Sequence, residues 1–159
     1  MRFRRLSLQE LEPLQDEFKH FLSANGLPAE EWALIKQTDA ARADELVDSF
    51  SDMVLERALK NIKTVEFKTP DKWYIFRYET DDAVCILLES EDVSSTNLIE
   101  VPFGNLFNTE LHLRNISLSR LKKPYKKNRE EELFILMNNG STIADDKLFD
   151  LLVTLEAEH

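Results

Sequence analysis

The chain has 159 residues, 43% of them hydrophobic, with a formal net charge of -10 and only three glycines. That length fits one core, and the apolar share is too high for intrinsic disorder despite 31% charged residues. Three glycines leave little material for the backbone cradles of phosphate-binding loops, which argues against the commoner nucleotide-binding enzymes.

The charged start Met1-Arg2-Phe3-Arg4-Arg5 is followed at once by Gln9, Glu10 and Glu12, so no apolar stretch of secretory-signal length occurs there. Nor does any run of about 20 apolar residues occur that could span a bilayer. The expectation is a cytoplasmic protein without membrane association. Cys85 is the only cysteine, which precludes an intrachain disulfide and fits a reducing compartment.

From Ser7 to Asn61 apolar residues recur at helical spacing. Ser7 and Glu10 form a Ser-x-x-Glu capping signature, and Leu8, Leu11, Leu14, Phe18, Phe21 and Leu22 make one stripe that ends before Gly26. Pro13 interrupts it, so a single turn followed by a fresh helix competes with one kinked helix. Pro28 reads as the first position of a short second helix bearing Trp32 and Ile35. A third helix, from about Asp39 to Asn61, keeps Ala43, Leu46, Val47, Phe50, Met53, Val54 and Ala58 on one face.

Beyond Asn61 the period changes. Thr64 to Lys68, Lys72 to Thr80 and Ala83 to Glu89 read as strands, and the short connections between them imply antiparallel hairpins. Tyr74, Phe76 and Tyr78 share one face of the second strand, while Trp73 and Ile75 share the other. In the third, Val84, Ile86 and Leu88 oppose Cys85 and Leu87. A further strand is expected over Asn97 to Val101, and another over Thr109 to Ser119 with a bulge near Arg114-Asn115, a helix there being the competing reading. Asn128 with Glu131 caps a helix through Leu133, Phe134 and Met137, and Gly140 stops it. A last helix from about Asp145 aligns Leu148, Leu151, Leu152 and Leu155. The expected fold class is α+β in one domain spanning 1–159, with a helical part 7–61, a β part 64–119 forming a small antiparallel sheet, and a C-terminal helical hairpin over 128–156.

Several strings have a familiar look: Arg4-Arg5-Leu6-Ser7-Leu8 leading to Phe18-Lys19-His20-Phe21-Leu22, Phe50-Ser51-Asp52-Met53-Val54, and Arg129-Glu-Glu-Glu-Leu-Phe134 with Asn139-Gly140 and Asp146-Lys147-Leu148-Phe149. Across most of its length the chain resembles an uncharacterised family of small Bacteroidota proteins. The resemblance implies a bacterial cytoplasmic origin and carries over no functional residue.

The segment that departs most from ordinary composition is 120–129. Arg120, Lys122, Lys123, Lys126, Lys127 and Arg129 surround Tyr125, a pattern that can neutralise phosphates while the ring stacks on a base. It precedes a helix start, whose amides and dipole favour anions. The competing reading is a solvated basic loop balanced by Glu130, Glu131 and Glu132, and the negative charge of the whole chain opposes polyanion binding at long range.

Other residues have plainer readings. Tyr74, Phe76 and Tyr78 could form a base-stacking platform, but the glycine-bearing motif of such sheets is missing and a core face explains the spacing. Asp16 and His20 sit one helical turn apart without further metal ligands in view, which favours a surface ion pair. His112 and His159 suggest no proton-transfer role. Cys85 reads as a buried small hydrophobe rather than a nucleophile. Asp81-Asp82 reads as turn chemistry and Glu91-Asp92 as solvated. Trp32 and Trp73 could anchor a partner or fill a core.

No catalytic or cofactor motif is present, so no cofactor or metal is called. The favoured function is a non-catalytic interaction or adaptor protein that binds another protein through the basic loop and the adjoining helix. Nucleic-acid or phosphate-ligand binding through 120–129 is the alternative, and an enzyme whose acidic residues converge only on folding is the third reading.

Overall fold

Helix formation begins at Ser7 in the computed structural model, which describes residues 1–102 and 115–158. The Ser7 hydroxyl accepts from the Glu10 amide while the Glu10 carboxylate accepts from the Ser7 amide, completing the capping box of α1 (Leu8–Leu11). Pro13 lies in a 3-10 turn over Glu12–Leu14, and α2 (Gln15–Ala24) starts afresh behind it. A proline cannot donate within a helix interior, so the stripe is cut into a turn and a helix rather than bent as one.

Gly26, at φ +75°, ends α2: the Leu27 amide donates back to the Leu22 carbonyl at 2.9 Å and both leucines are buried. Pro28 stands just before α3 (Ala29–Thr38) rather than inside it. Asp39 caps α4 (Ala40–Asn61) by accepting from the Arg42 amide at 3.1 Å.

The chain divides into two compact units, 1–59 and 60–159. In the first, Phe50 is fully buried, and its ring centroid lies 5.0 Å from Phe18 and 5.4 Å from Phe21. Trp32 meets Phe18 edge-on at 5.1 Å. The arm before α1 is tied to α4. The amides of Arg2 and Phe3 donate to Asp52, Arg5 pairs with Asp44 and Asp48, and the Leu6 amide donates to the buried Ser51 hydroxyl. The acidic stripe of α4 is thus explained by the basic N-terminus.

The second unit holds an antiparallel sheet of β1 (Thr64–Lys68), β2 (Lys72–Tyr78), β3 (Asp82–Ser90), β4 (Ile116–Pro124) and β5 (Thr142–Ile143), in the spatial order β4-β3-β2-β1-β5. Helices α5 (Arg129–Asn138) and α6 (Asp146–Glu158) follow β4, with β5 between them. The fold is α+β, with helices at both ends of the chain. The register aligns Trp73 with Leu88 and Leu118, and Ile75 with Ile86. These residues, with Val84, form the face on which Leu148, Phe149 and Leu152 of α6 pack. Arg77 crosses from β2 to α6, donating to Thr64 Oγ1 and the Asp146 carbonyl, with its guanidinium 4.7 Å from the centre of the Phe149 ring. Trp73 is core, its indole N–H held by Glu66 at 2.7 Å.

Two further expectations change. Asn97–Val101 is not a strand. Asp92 accepts from the amide and hydroxyl of Ser94 and from the Ser95 hydroxyl, and Asn97 accepts from the Ile99 amide, so side-chain turn chemistry outcompetes extension. Leu98 nonetheless enters the core. The basic segment is not wholly a loop either: its first half is β4, which pairs residue for residue with all of β3. The Thr109–Arg114 part of the expected strand, with its bulge, and the residues His112 and His159 lie outside the described residues.

Candidate functional site

The structure separates the residues of the basic segment. Strand alternation sends Arg120 and Lys122 to one face and Lys123 to the other. Arg120 lies 3.5 Å from Glu156 of α6, Lys122 lies 2.9 Å from Asp82, and Lys123 lies 3.5 Å from Glu132. Glu132 also accepts from the amides of Lys126 and Lys127, both at 3.1 Å. Burial opposes its ionisation, but these amides and the Lys123 ammonium outweigh it and hold the carboxyl below its usual range.

Asn128 caps α5, its side-chain oxygen accepting from the Glu131 amide at 2.9 Å and its amide nitrogen donating to the Glu131 carboxylate. Three amides at this chain reversal are therefore already engaged by side chains. Arg129 folds inward, only 14% exposed, and donates to the carbonyls of Ile62 and Tyr78 while pairing with Glu130. It fixes the α4–β1 connection against the end of β2. Tyr125 donates its hydroxyl to carbonyls of the β2–β3 turn, and burial pushes its pKa upward.

Around these anchors lies a surface cleft of about 740 Å³ within the 60–159 unit. Lys60 and Lys63 line it from the α4–β1 connection, Arg77 from β2, and Lys127 and Arg129 from the basic segment. Glu79, Asp81 and Glu130 supply the acidic part of the wall. Tyr125 and Lys127 are thus brought beside cations that sequence reading had not connected with them. In the sequence Lys60 and Lys63 sit at a helix end, and Arg77 lies within a strand. No local spacing links the three.

Of the remaining candidates, Tyr78 is buried, and Tyr74 and Phe76 are half-buried with nearly parallel rings 6.2 Å apart. With Phe67, Leu136, Asn139 and Ser141 these two border a smaller groove of about 290 Å³. Burial pushes the Cys85 thiol up to about 11, away from nucleophilic thiolate chemistry near neutrality. His20 borders a recess beside the Glu17–Arg57 ion pair, which closes at 2.7 Å. Among the described residues no group of three or more His, Cys, Asp or Glu side chains is arranged to hold a metal. No helix there is long and apolar enough to cross a membrane.

The chain belongs to a family of unknown function, DUF6495, whose model matches residues 1–157. No curated protein and no solved structure matches it.

Proposed function

We propose that this is a cytoplasmic, non-catalytic protein-binding module that engages an acidic, extended segment of its partner along the outer edge of β4. The observation that carries the reading is a nine-residue edge strand, exposed from Ser119 to Pro124, with Leu121 63% exposed among cations. Among the described residues no strand lies on its outer side.

The register supports this use. The Glu91 amide donates to the Asn115 carbonyl at 2.9 Å, and the antiparallel ladder continues from there with pairs such as Glu89–Ser117 and Leu87–Ser119. Hydrogen-bonded pairs alternate along such a ladder, so Ser117, Ser119, Leu121 and Lys123 bond inward to β3. The main-chain groups of Leu118, Arg120 and Lys122 then face away from it. An incoming strand gains its hydrogen bonds there, while Arg120, Lys122 and Lys123 favour acidic side chains. A second copy of β4 would set cations against cations, a common guard against self-pairing at sheet edges.

The test is titration of the isotope-labelled chain with a short peptide of alternating Glu and Val, followed by amide chemical shifts. Binding with the largest shifts at Leu118, Arg120 and Lys122, weakened in Arg120→Ala and lost in Arg120→Pro, supports the reading. Absence of binding, or shifts centred elsewhere, overturns it.

A further inference from the structure

We infer that the cleft between the α4–β1 connection, the β2–β3 turn and the start of α5 binds a small phosphorylated molecule through Lys60, Lys63 and Lys127. This inference is independent of the β4 edge.

Three features point to that ligand class. The first is convergence: cations from three separate segments, 60–63, Arg77 and 127–129, line the one cleft. A tetrahedral phosphate offers oxygens in several directions and can meet ammonium groups from separate segments, whereas a carboxylate offers two oxygens in one plane. The second is size. A cleft of about 740 Å³ lies within the range of about 300–1,000 Å³ that small-molecule sites occupy.

The third is the division of labour among the charges. Arg77 and Arg129 are 15% and 14% exposed, and their guanidinium groups already serve carbonyls and the Asp150 and Glu130 carboxylates, so they are fixed in the wall and leave the lysines to meet a ligand. Lys63 and Lys127 are exposed and form no ion pair among the described residues. Glu130 is engaged by Arg129, which leaves Glu79 and Asp81 as the exposed acids of the wall. The amides of Lys126, Lys127 and Glu131 beside the start of α5 are already engaged by Glu132 and Asn128, so they do not serve as the anion site. The ligand is held by side-chain ammonium groups. The half-buried Tyr125 ring adds an apolar wall for the organic part of such a molecule.

The experiment is calorimetric titration of the full chain with inorganic pyrophosphate at low ionic strength, with inorganic sulfate as the comparison anion. The expected result is one-site binding of pyrophosphate that Lys63→Ala/Lys127→Ala weakens by roughly tenfold or more. The charge-matched control Lys19→Ala/Lys147→Ala, at exposed positions outside the cleft, leaves it unchanged. Circular dichroism establishes that both variants are folded. Absence of pyrophosphate binding, equal binding of sulfate, or equal loss in the two double variants overturns the inference. So does single-stranded oligonucleotide binding with which pyrophosphate does not compete.

Discussion

The ring of Tyr125 stacks on that of Tyr78, with centroids 5.7 Å apart and planes within 12° of parallel. Its hydroxyl reaches past Tyr78 to the carbonyls of Glu79 and Asp82, at 2.7 and 2.8 Å. One residue of the basic segment therefore seals the β2–β3 hairpin. The Asp82 carbonyl also accepts from the Glu79 amide, so removing the hydroxyl deprives chiefly the Glu79 carbonyl. Tyr125→Phe should cost about 0.5–1.5 kcal/mol, and Tyr125→Ala more, because stacking is lost as well. Urea unfolding of the two variants measures the difference; equal losses would show that stacking adds nothing.

Arg129 makes a sharper prediction. Its planar fork serves carbonyls from two chain segments, Ile62 and Tyr78, a geometry that a lysine ammonium on a flexible stem does not reproduce. Arg129→Lys keeps the charge, yet it should destabilise by about 1–3 kcal/mol by leaving a partly buried carbonyl without its donor. Chemical denaturation checks the magnitude. Amide exchange should quicken first around Lys63 and Tyr78, since the Tyr78 amide donates to the Lys63 carbonyl.

Much of this fold is written locally. The caps at Ser7 and Asn128 and the glycine stops at Gly26 and Gly140 are single-residue chemistry, and each sets a helix boundary close to where spacing placed it. Strands β1 to β3 are bounded by turn residues and carry enough apolar character to be read. β4 was harder because an edge strand loses its buried face: from Ser119 onward every residue is exposed, and the alternation that marks a strand disappears. β5 has two exposed residues and exists only through its pairing with β1. The cleft was least legible. Lys60, Arg77 and Lys127 are separated by 17 and 50 positions and meet only through the sheet register and the inward turn of Arg129.

Gly140 sits at φ +107°, where the Ser141 amide donates back to the Leu136 carbonyl at the end of α5. A Cβ added there would lie 3.3 Å from Phe67 Cε2. Phe67 is partly exposed and can yield, so the backbone conformation dominates the cost. Gly140→Ala should destabilise by about 1–3 kcal/mol. The same substitution should loosen the β1–β5 pairing that follows the turn, which amide exchange at Thr142 and Ile143 would report. Unchanged stability would show that the turn relaxes to another conformation.

Acid sensitivity should begin at the N-terminal capping box. The Arg4 guanidinium and the Ser7 amide hold the Glu10 carboxyl down to about 2, against an ordinary value of 4.5. The unfolded chain takes up this proton first as the pH falls. The stabilising contribution of Glu10 is therefore complete above 4.5, and it declines as the pH is lowered through about 2. Asp48, lowered by its hydrogen bond from Arg5, adds a contribution of the same sign on α4. Thermal unfolding followed across this acid range should show a falling midpoint whose slope is reduced in Glu10→Gln, because that side chain no longer titrates. Carboxyl-carbon chemical shifts give the site-specific check: Glu10 should titrate well below the ordinary value of 4.5, and titration near that value would mean that neither Arg4 nor the cap holds it.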